Sequence, residues 1–114
     1  MLELPFPPSV NTYYRNFRGH MVLSAKGREF KTAVAEYVAE HHIPKYGDSR
    51  LRITIILQPR DKRKFDIDNR IKATLDALQG AGVFDDDWQV DQLEVMRGEQ
   101  TPGGRLLVTI ETIE

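Results

Sequence analysis

The sequence predicts an α/β fold of the α+β type, a mixed β-sheet flanked by two main helices, on three observations. Leu51, Ile53, Ile55 and Leu57 alternate with Arg52 and Thr54, the period of two that marks a half-buried strand. Two other stretches, one ending near His41 and one near Leu78, repeat apolar residues at helical spacing. The tail holds two further strand candidates on either side of a Pro-Gly turn.

In chain order, Leu2 to Phe6 reads as a short strand ended by Pro7-Pro8, and Ser9 to Gly19 mixes Asn, Tyr and Arg without a clear period. A second short strand is expected over His20 to Leu23. Ser24 suits an N-cap, because Phe30, Ala33, Val34, Tyr37, Val38 and His41 then share one helical face, and Pro44 ends that helix nearby. The Leu51–Leu57 strand follows, with Ile56 hinting at burial on its other side. Residues 60–65 form a charged loop. Ile67, Ile71, Thr74, Leu75 and Leu78 line one side of a second helix that stops at Gly80 and Gly82. Strands near Val90 to Arg97 and Leu106 to Ile113 are expected to close the chain as a hairpin across Thr101-Pro102-Gly103-Gly104, where Pro then Gly is type II turn chemistry.

With 114 residues and 40% hydrophobic content, the chain is expected to form one domain over residues 1–114. Lacking cysteine, it has no disulfide, thiolate zinc site or cysteine nucleophile. No segment approaches the ~20 apolar residues that cross a bilayer, and Met1-Leu2-Glu3-Leu4-Pro5 is not a signal-peptide start, so a cytoplasmic protein without membrane contact is expected. The 16 Lys and Arg against 17 Asp and Glu leave a net charge of −1, with no global pull toward nucleic acid. Their distribution is uneven: Arg15, Arg18, Lys26, Arg28 and Lys31 form one basic group and Arg60, Lys62, Arg63 and Lys64 another, while Asp85, Asp86, Asp87 and Asp91 concentrate the acid.

The chemistry is concentrated in Lys64-Phe65-Asp66-Ile67-Asp68-Asn69-Arg70-Ile71-Lys72, between the best strand and a helix. At about 100° per residue, Asp68, Lys72 and Asp76 form a polar row beside the apolar stripe, and Asp66 precedes it at the junction. Carboxylates two apart at such a junction suit Mg²⁺, which takes a few carboxylate oxygens and keeps water on its other positions. Lys72 is then placed to hold an attacking water or to offset transition-state charge, whereas Asp76 lies too deep to be expected at the cation. The competing reading makes Asp66 or Asp68 a helix cap. An EF-hand loop fails, since Arg70, Ile71 and Ala77 stand where Asp or Asn, Gly and Glu are required. In Asp85-Asp86-Asp87 one acid is expected to point back toward the start of the preceding helix, held against the protein by Phe84 and Trp88; the alternative is a solvated turn. His20, His41 and His42 read as structural, and neither a Ser-His-Asp set nor a phosphate-cradling Gly loop is present.

These residues resemble the RusA family of Holliday junction resolvases over nearly the whole chain. The likeness runs through Pro7-Pro8-Ser9, Asn11, Tyr13-Tyr14-Arg15, the basic run into Asp66-Ile67-Asp68-Asn69, Lys72 and Asp76-Ala77-Leu78. It continues through Ala81-Gly82, Asp86-Asp87, Gln89-Val90 and Gly103-Gly104-Arg105. The resemblance implies a RusA-like fold and a homodimer that makes paired symmetrical nicks in a four-way junction with Mg²⁺, or with Mn²⁺ as substitute. It also implies Asp66, Asp68 and Asp87 as metal ligands and Lys72 as the catalytic lysine. Three consecutive acids leave Asp86 as the rival of Asp87. Arg15, Arg18, Arg60, Lys62, Arg63 and Lys64 are expected to hold DNA phosphates, with Asp61 reducing the contacts of its own run. Two other readings remain: a non-catalytic DNA-binding module, and a metal nuclease for other branched DNA.

Overall fold

A computed structural model describes residues 1–113. Along the chain run β1 (Leu2–Leu4), α1 (Val10–Tyr13), β2 (Tyr14–Phe17), β3 (His20–Leu23), α2 (Ala25–Glu40), β4 (Leu51–Gln58), α3 (Ile71–Gly80), β5 (Val90–Arg97) and β6 (Arg105–Thr112). Single 3-10 turns at Asp68–Arg70 and Asp87–Gln89 precede α3 and β5.

The main sheet has the order β1-β6-β4-β5, with β4 antiparallel to β6 and parallel to β5. Parallel neighbours need a crossover, and α3 supplies it. Leu51, Ile53, Ile55 and Leu57 are buried as their alternation predicts, while Arg52 is exposed and Ile56 half-buried. Phe30, Val34 and Val38 of α2 and Leu75 and Leu78 of α3 join the same core. The helices therefore cover one face of the sheet, and the other stays partly open.

The expected tail hairpin is not formed, because β4 lies between β5 and β6. The apolar strand β4 gains ladder bonds on both of its edges this way. The connection instead crosses the end of β4, with Gly98 N–H on the Leu57 carbonyl and Thr101 N–H on the Pro59 carbonyl, both at 2.8 Å. Its type II turn is present: Gly103 has φ 78° and Gly104 N–H reaches the Thr101 carbonyl at 2.9 Å.

Ser24 caps α2 as expected, its hydroxyl accepting the Gly27 N–H at 3.0 Å. The aperiodic stretch before it folds as α1, capped by Ser9, and then as the first strand of a small separate hairpin, β2–β3. Arg18 (φ 51°) and Gly19 (φ 82°) make its two-residue turn, the two positive φ angles of a type I′ hairpin. At the end of α3, Gly82 N–H meets the Gln79 carbonyl and Val83 N–H the Leu78 carbonyl, each at 3.0 Å, with Gly82 at φ 81°. This is the Schellman stop that Gly80-Ala81-Gly82 suggests.

Candidate active site

Strand β4 delivers the loop that carries Asp66, and the 3-10 turn carries Asp68 as its first residue. Neither acid caps a helix. The N-cap of the turn is Ile67 and that of α3 is Arg70, and neither position has a side-chain cap bond. Both carboxylates are exposed, and among the described residues neither takes part in an ion pair. Two exposed carboxylates two residues apart in the chain offer the oxygen donors that a hard divalent cation takes. Lys72 is exposed on the first turn of α3, one turn beyond Asp68.

Surrounding bonds fix this segment. The Asn69 side-chain oxygen accepts the Val10 N–H at 3.2 Å, and Arg70 Nη1 donates to the Pro7 carbonyl at 2.8 Å. Asp76 is committed to structure: it accepts the Tyr13 hydroxyl and lies 3.9 Å from Lys31 Nζ. Burial first, and then the Asp76 carboxylate, push the Tyr13 phenol above its ordinary value.

Gln89 organises the second acidic segment and is only 1% exposed. Its Oε1 accepts N–H bonds from Asp85 (3.1 Å) and Asp86 (2.9 Å), and its Nε2 donates to the carbonyls of Gly47 (2.9 Å) and Ser49 (2.6 Å). Asp86 N-caps the 3-10 turn, accepting the Trp88 N–H at 3.4 Å, whereas Asp87 is half-buried and, among the described residues, takes part in neither capping nor ion pairing. Phe84 is buried as expected, but Trp88 is 70% exposed, a correction to its expected packing. The cap and Gln89 hold the turn so that Trp88 projects outward, with the Arg50 guanidinium 4.6 Å from its ring centre.

Topology separates the two acidic segments. Val90 pairs with Leu51 at the beginning of β4, whereas Asp66 and Asp68 follow its far end. With ten residues, α3 places about 15 Å between these ends. No acid of Asp85-Asp86-Asp87 therefore points back to the start of α3, since a parallel crossover returns the chain to the end at which β4 began. Among the described residues, no three His, Asp or Glu side chains converge as a metal site. Asp66 and Asp68 nonetheless have the right donors for a hard cation: free, exposed carboxylate oxygens.

Arg15 and Arg18 stand on the β2–β3 hairpin, their guanidinium carbons 5.1 and 5.2 Å from the centre of the Phe17 ring. In the second basic run, Asp61 binds Arg63 at 2.8 Å and Arg60 at 3.5 Å, as its presence there implied. The Arg63 bonds hold the Asp61 carboxyl below its usual range. Lys62 and Lys64 are exposed with no ion pair among the described residues. Arg60, Arg63 and Lys64 border an open cavity of about 700 Å³.

No helix of the described residues is long and apolar enough to cross a membrane. The family model described as endodeoxyribonuclease RusA matches residues 5–111. The chain is 40% identical over 111 residues to the crossover junction endodeoxyribonuclease rusA of Enterobacteria phage HK97, covering 97% of this chain and 92% of that protein. It is 38% identical over 109 residues to the proteins of the same description from Enterobacteria phage 82 and Escherichia coli strain K12, covering 96% of this chain and 91% of each. With this match in sequence and the uncapped Asp66-Ile67-Asp68-Asn69 segment ahead of Lys72, the chain belongs to the RusA endodeoxyribonuclease family.

Proposed function

We propose that residues 1–114 act as one endonuclease domain in the cytoplasm, and that the protein resolves four-way DNA junctions by paired symmetrical nicks in recombination and repair. The observation that carries this reading is the pair Asp66 and Asp68, which neither caps α3 nor, among the described residues, pairs with a basic side chain, in a chain of this family. Family membership favours it over the non-catalytic module, for which these acids would be caps.

Asp66 and Asp68 would hold Mg²⁺, with Mn²⁺ as a substitute, and Asp87 would be the third ligand, since Asp86 is occupied as a cap. Held there, the cation would supply Lewis-acid chemistry for the scissile phosphate and for activating water. Lys72 stands one turn past Asp68, where its ammonium offsets negative charge building on the phosphate. Arg15, Arg18, Arg60, Lys62, Arg63 and Lys64 position the DNA through its backbone, a role that carries register and salt dependence but no sequence reading.

Because Asp87 sits at the other end of α3, one chain does not bring it to Asp66 and Asp68. In the homodimer proposed here, Asp87 would complete the site of the second copy. A two-fold dimer also presents one site to each of the two strands to be cut.

Asp68→Asn is expected to leave binding of a labelled four-way junction within about two-fold and to reduce Mg²⁺-dependent nicking by at least ~10³-fold, a loss of ~4 kcal/mol in barrier terms. Nicking that survives this change would sink the metal reading. Equal cutting of linear duplex, flaps and junctions would sink the junction specificity.

A further inference from the structure

The cavity beside the Asp66 segment has a composition that phosphate steering alone does not require. Phe6 and Phe65 meet edge to face at 5.3 Å on its wall, and the Arg70 guanidinium lies 5.2 Å from one ring centre and 5.7 Å from the other. Lys26, Arg60 and Lys64 line the same space.

Arg70 is the unusual member. Its Nη1 donates to the Pro7 carbonyl, but its Nε is buried with no hydrogen-bond partner, and among the described residues no carboxylate pairs with it. A partly desolvated cation without an anion is costly, and burial alone pulls its pKa down. Aromatic rings compensate in part through cation–π contact, but they do not replace an anionic oxygen. Two acids, Asp61 and Glu29, also stand on the wall; Asp61 is already bound to Arg63 and Arg60, and Glu29 lies on the α2 side with Lys26, so the lining keeps more cations than acids.

We propose that this cavity is a subsite for one unpaired nucleotide of single-stranded DNA, its phosphate drawn to Arg70, Lys26 and Lys64 and its base lodged on the Phe6–Phe65 wall. A cavity of about 700 Å³ has room for a nucleoside monophosphate. Aromatic side chains interleaved with cations are what sequence-tolerant single-strand sites use, because every base has a π-face. The subsite borders the loop that leads into Asp66. A strand unpaired at a branch point is thereby held beside the carboxylates, which paired duplex does not offer. This inference rests on the junction nuclease reading for its biological role, though not for the binding itself.

The test is an NMR titration of the full chain with pentathymidylate, thymidine 5′-monophosphate and inorganic phosphate, run beside nicking of a labelled four-way junction. Pentathymidylate and the monophosphate are expected to shift the amide signals of Phe6, Phe65 and Arg70. Phe6→Leu, which keeps an apolar side chain but removes the ring, is expected to weaken pentathymidylate about five-fold or more without changing its salt dependence. Arg70→Gln, which keeps a donor for Pro7, is expected to reduce the slope of log affinity against log salt by about 0.7, one single-strand phosphate contact.

Shifts by inorganic phosphate with no effect of Phe6→Leu would show an anion site and overturn the nucleotide assignment. Unmoved signals in a preparation that nicks junctions would overturn the subsite and leave the nuclease intact. Shifts there in a protein that never nicks would uphold the subsite and remove the nuclease.

Discussion

Gln89 and Tyr13 show how single buried polar groups set the position of neighbouring acids. Gln89 satisfies two N–H groups and two carbonyls at once, joining the Asp85–Asp87 segment to the Gly47–Ser49 loop. Gln89→Leu keeps the volume and leaves four backbone groups to find water. We expect a loss of about 2–3 kcal/mol in urea unfolding, and a fall in nicking larger than that in junction binding because Asp87 loses its support. Equal falls would restrict Gln89 to packing. Tyr13, fully buried on Asp76, gives a pH signature. Its phenol titrates higher in the fold than its ordinary 10.0, so the folded chain holds that proton longer than the unfolded chain does. The contribution is complete below about pH 10 and is lost as pH rises toward the folded value. Tyr13→Phe is expected to lower stability by ~1–2 kcal/mol near pH 7, with the gap to wild type narrowing above pH 10 in urea titrations. A gap constant to pH 11 would refute this coupling. In the sequence Tyr13 and Gln89 carry no local signal beyond the family resemblance, because what makes them matter is burial against partners 63 and 40–42 residues away.

At the scale of elements, the first turn of α2 is locked against α1. A Cβ on Gly27 would sit 2.4 Å from the Tyr13 carbonyl oxygen, which already accepts the Ser24 N–H at 2.9 Å. Ala gains up to ~1 kcal/mol of helix propensity over Gly, but the obstructing atom is backbone and yields only if α1 moves, at ~1–3 kcal/mol or more. Gly27→Ala is therefore expected to destabilise the protein, read as a lower thermal midpoint; a higher midpoint would mean that α1 shifts freely. The start of α2 was legible from Ser24 and the Phe30-Val34-Val38 spacing, and β4 from its alternation, since local period and cap chemistry suffice for both. The β2–β3 hairpin was only half legible: the strand over His20 to Leu23 was expected, but Arg18-Gly19 is not one of the usual two-residue turn signatures and Tyr14 to Phe17 has no buried face to create a period.

For the whole molecule, the separation of Asp87 from Asp66 and Asp68 makes assembly part of the proposed chemistry. Co-expression of an Asp68→Asn chain with an Asp87→Asn chain is expected to restore nicking of one strand per junction, since the mixed dimer would hold one intact shared site. Sites complete within one chain would give no restoration, and denaturing gels of an end-labelled junction separate the outcomes. The sequence by itself determined the elements whose signal is local: the β4 alternation, the Ser24 cap, the two amphipathic helices, the glycine stop after α3 and the Asp66-to-Lys72 cluster. Tertiary structure decided what depends on strand order and partner choice. It inserted β4 between β5 and β6, carried Asp87 to the end of β4 opposite Asp66 and Asp68, turned Trp88 outward, and left Asp66 and Asp68 free of the capping role their position allowed. The physical reason is that periodicity reports which side of an element is apolar, whereas the neighbour across each edge is chosen by ladder bonds and crossovers between residues distant in the chain.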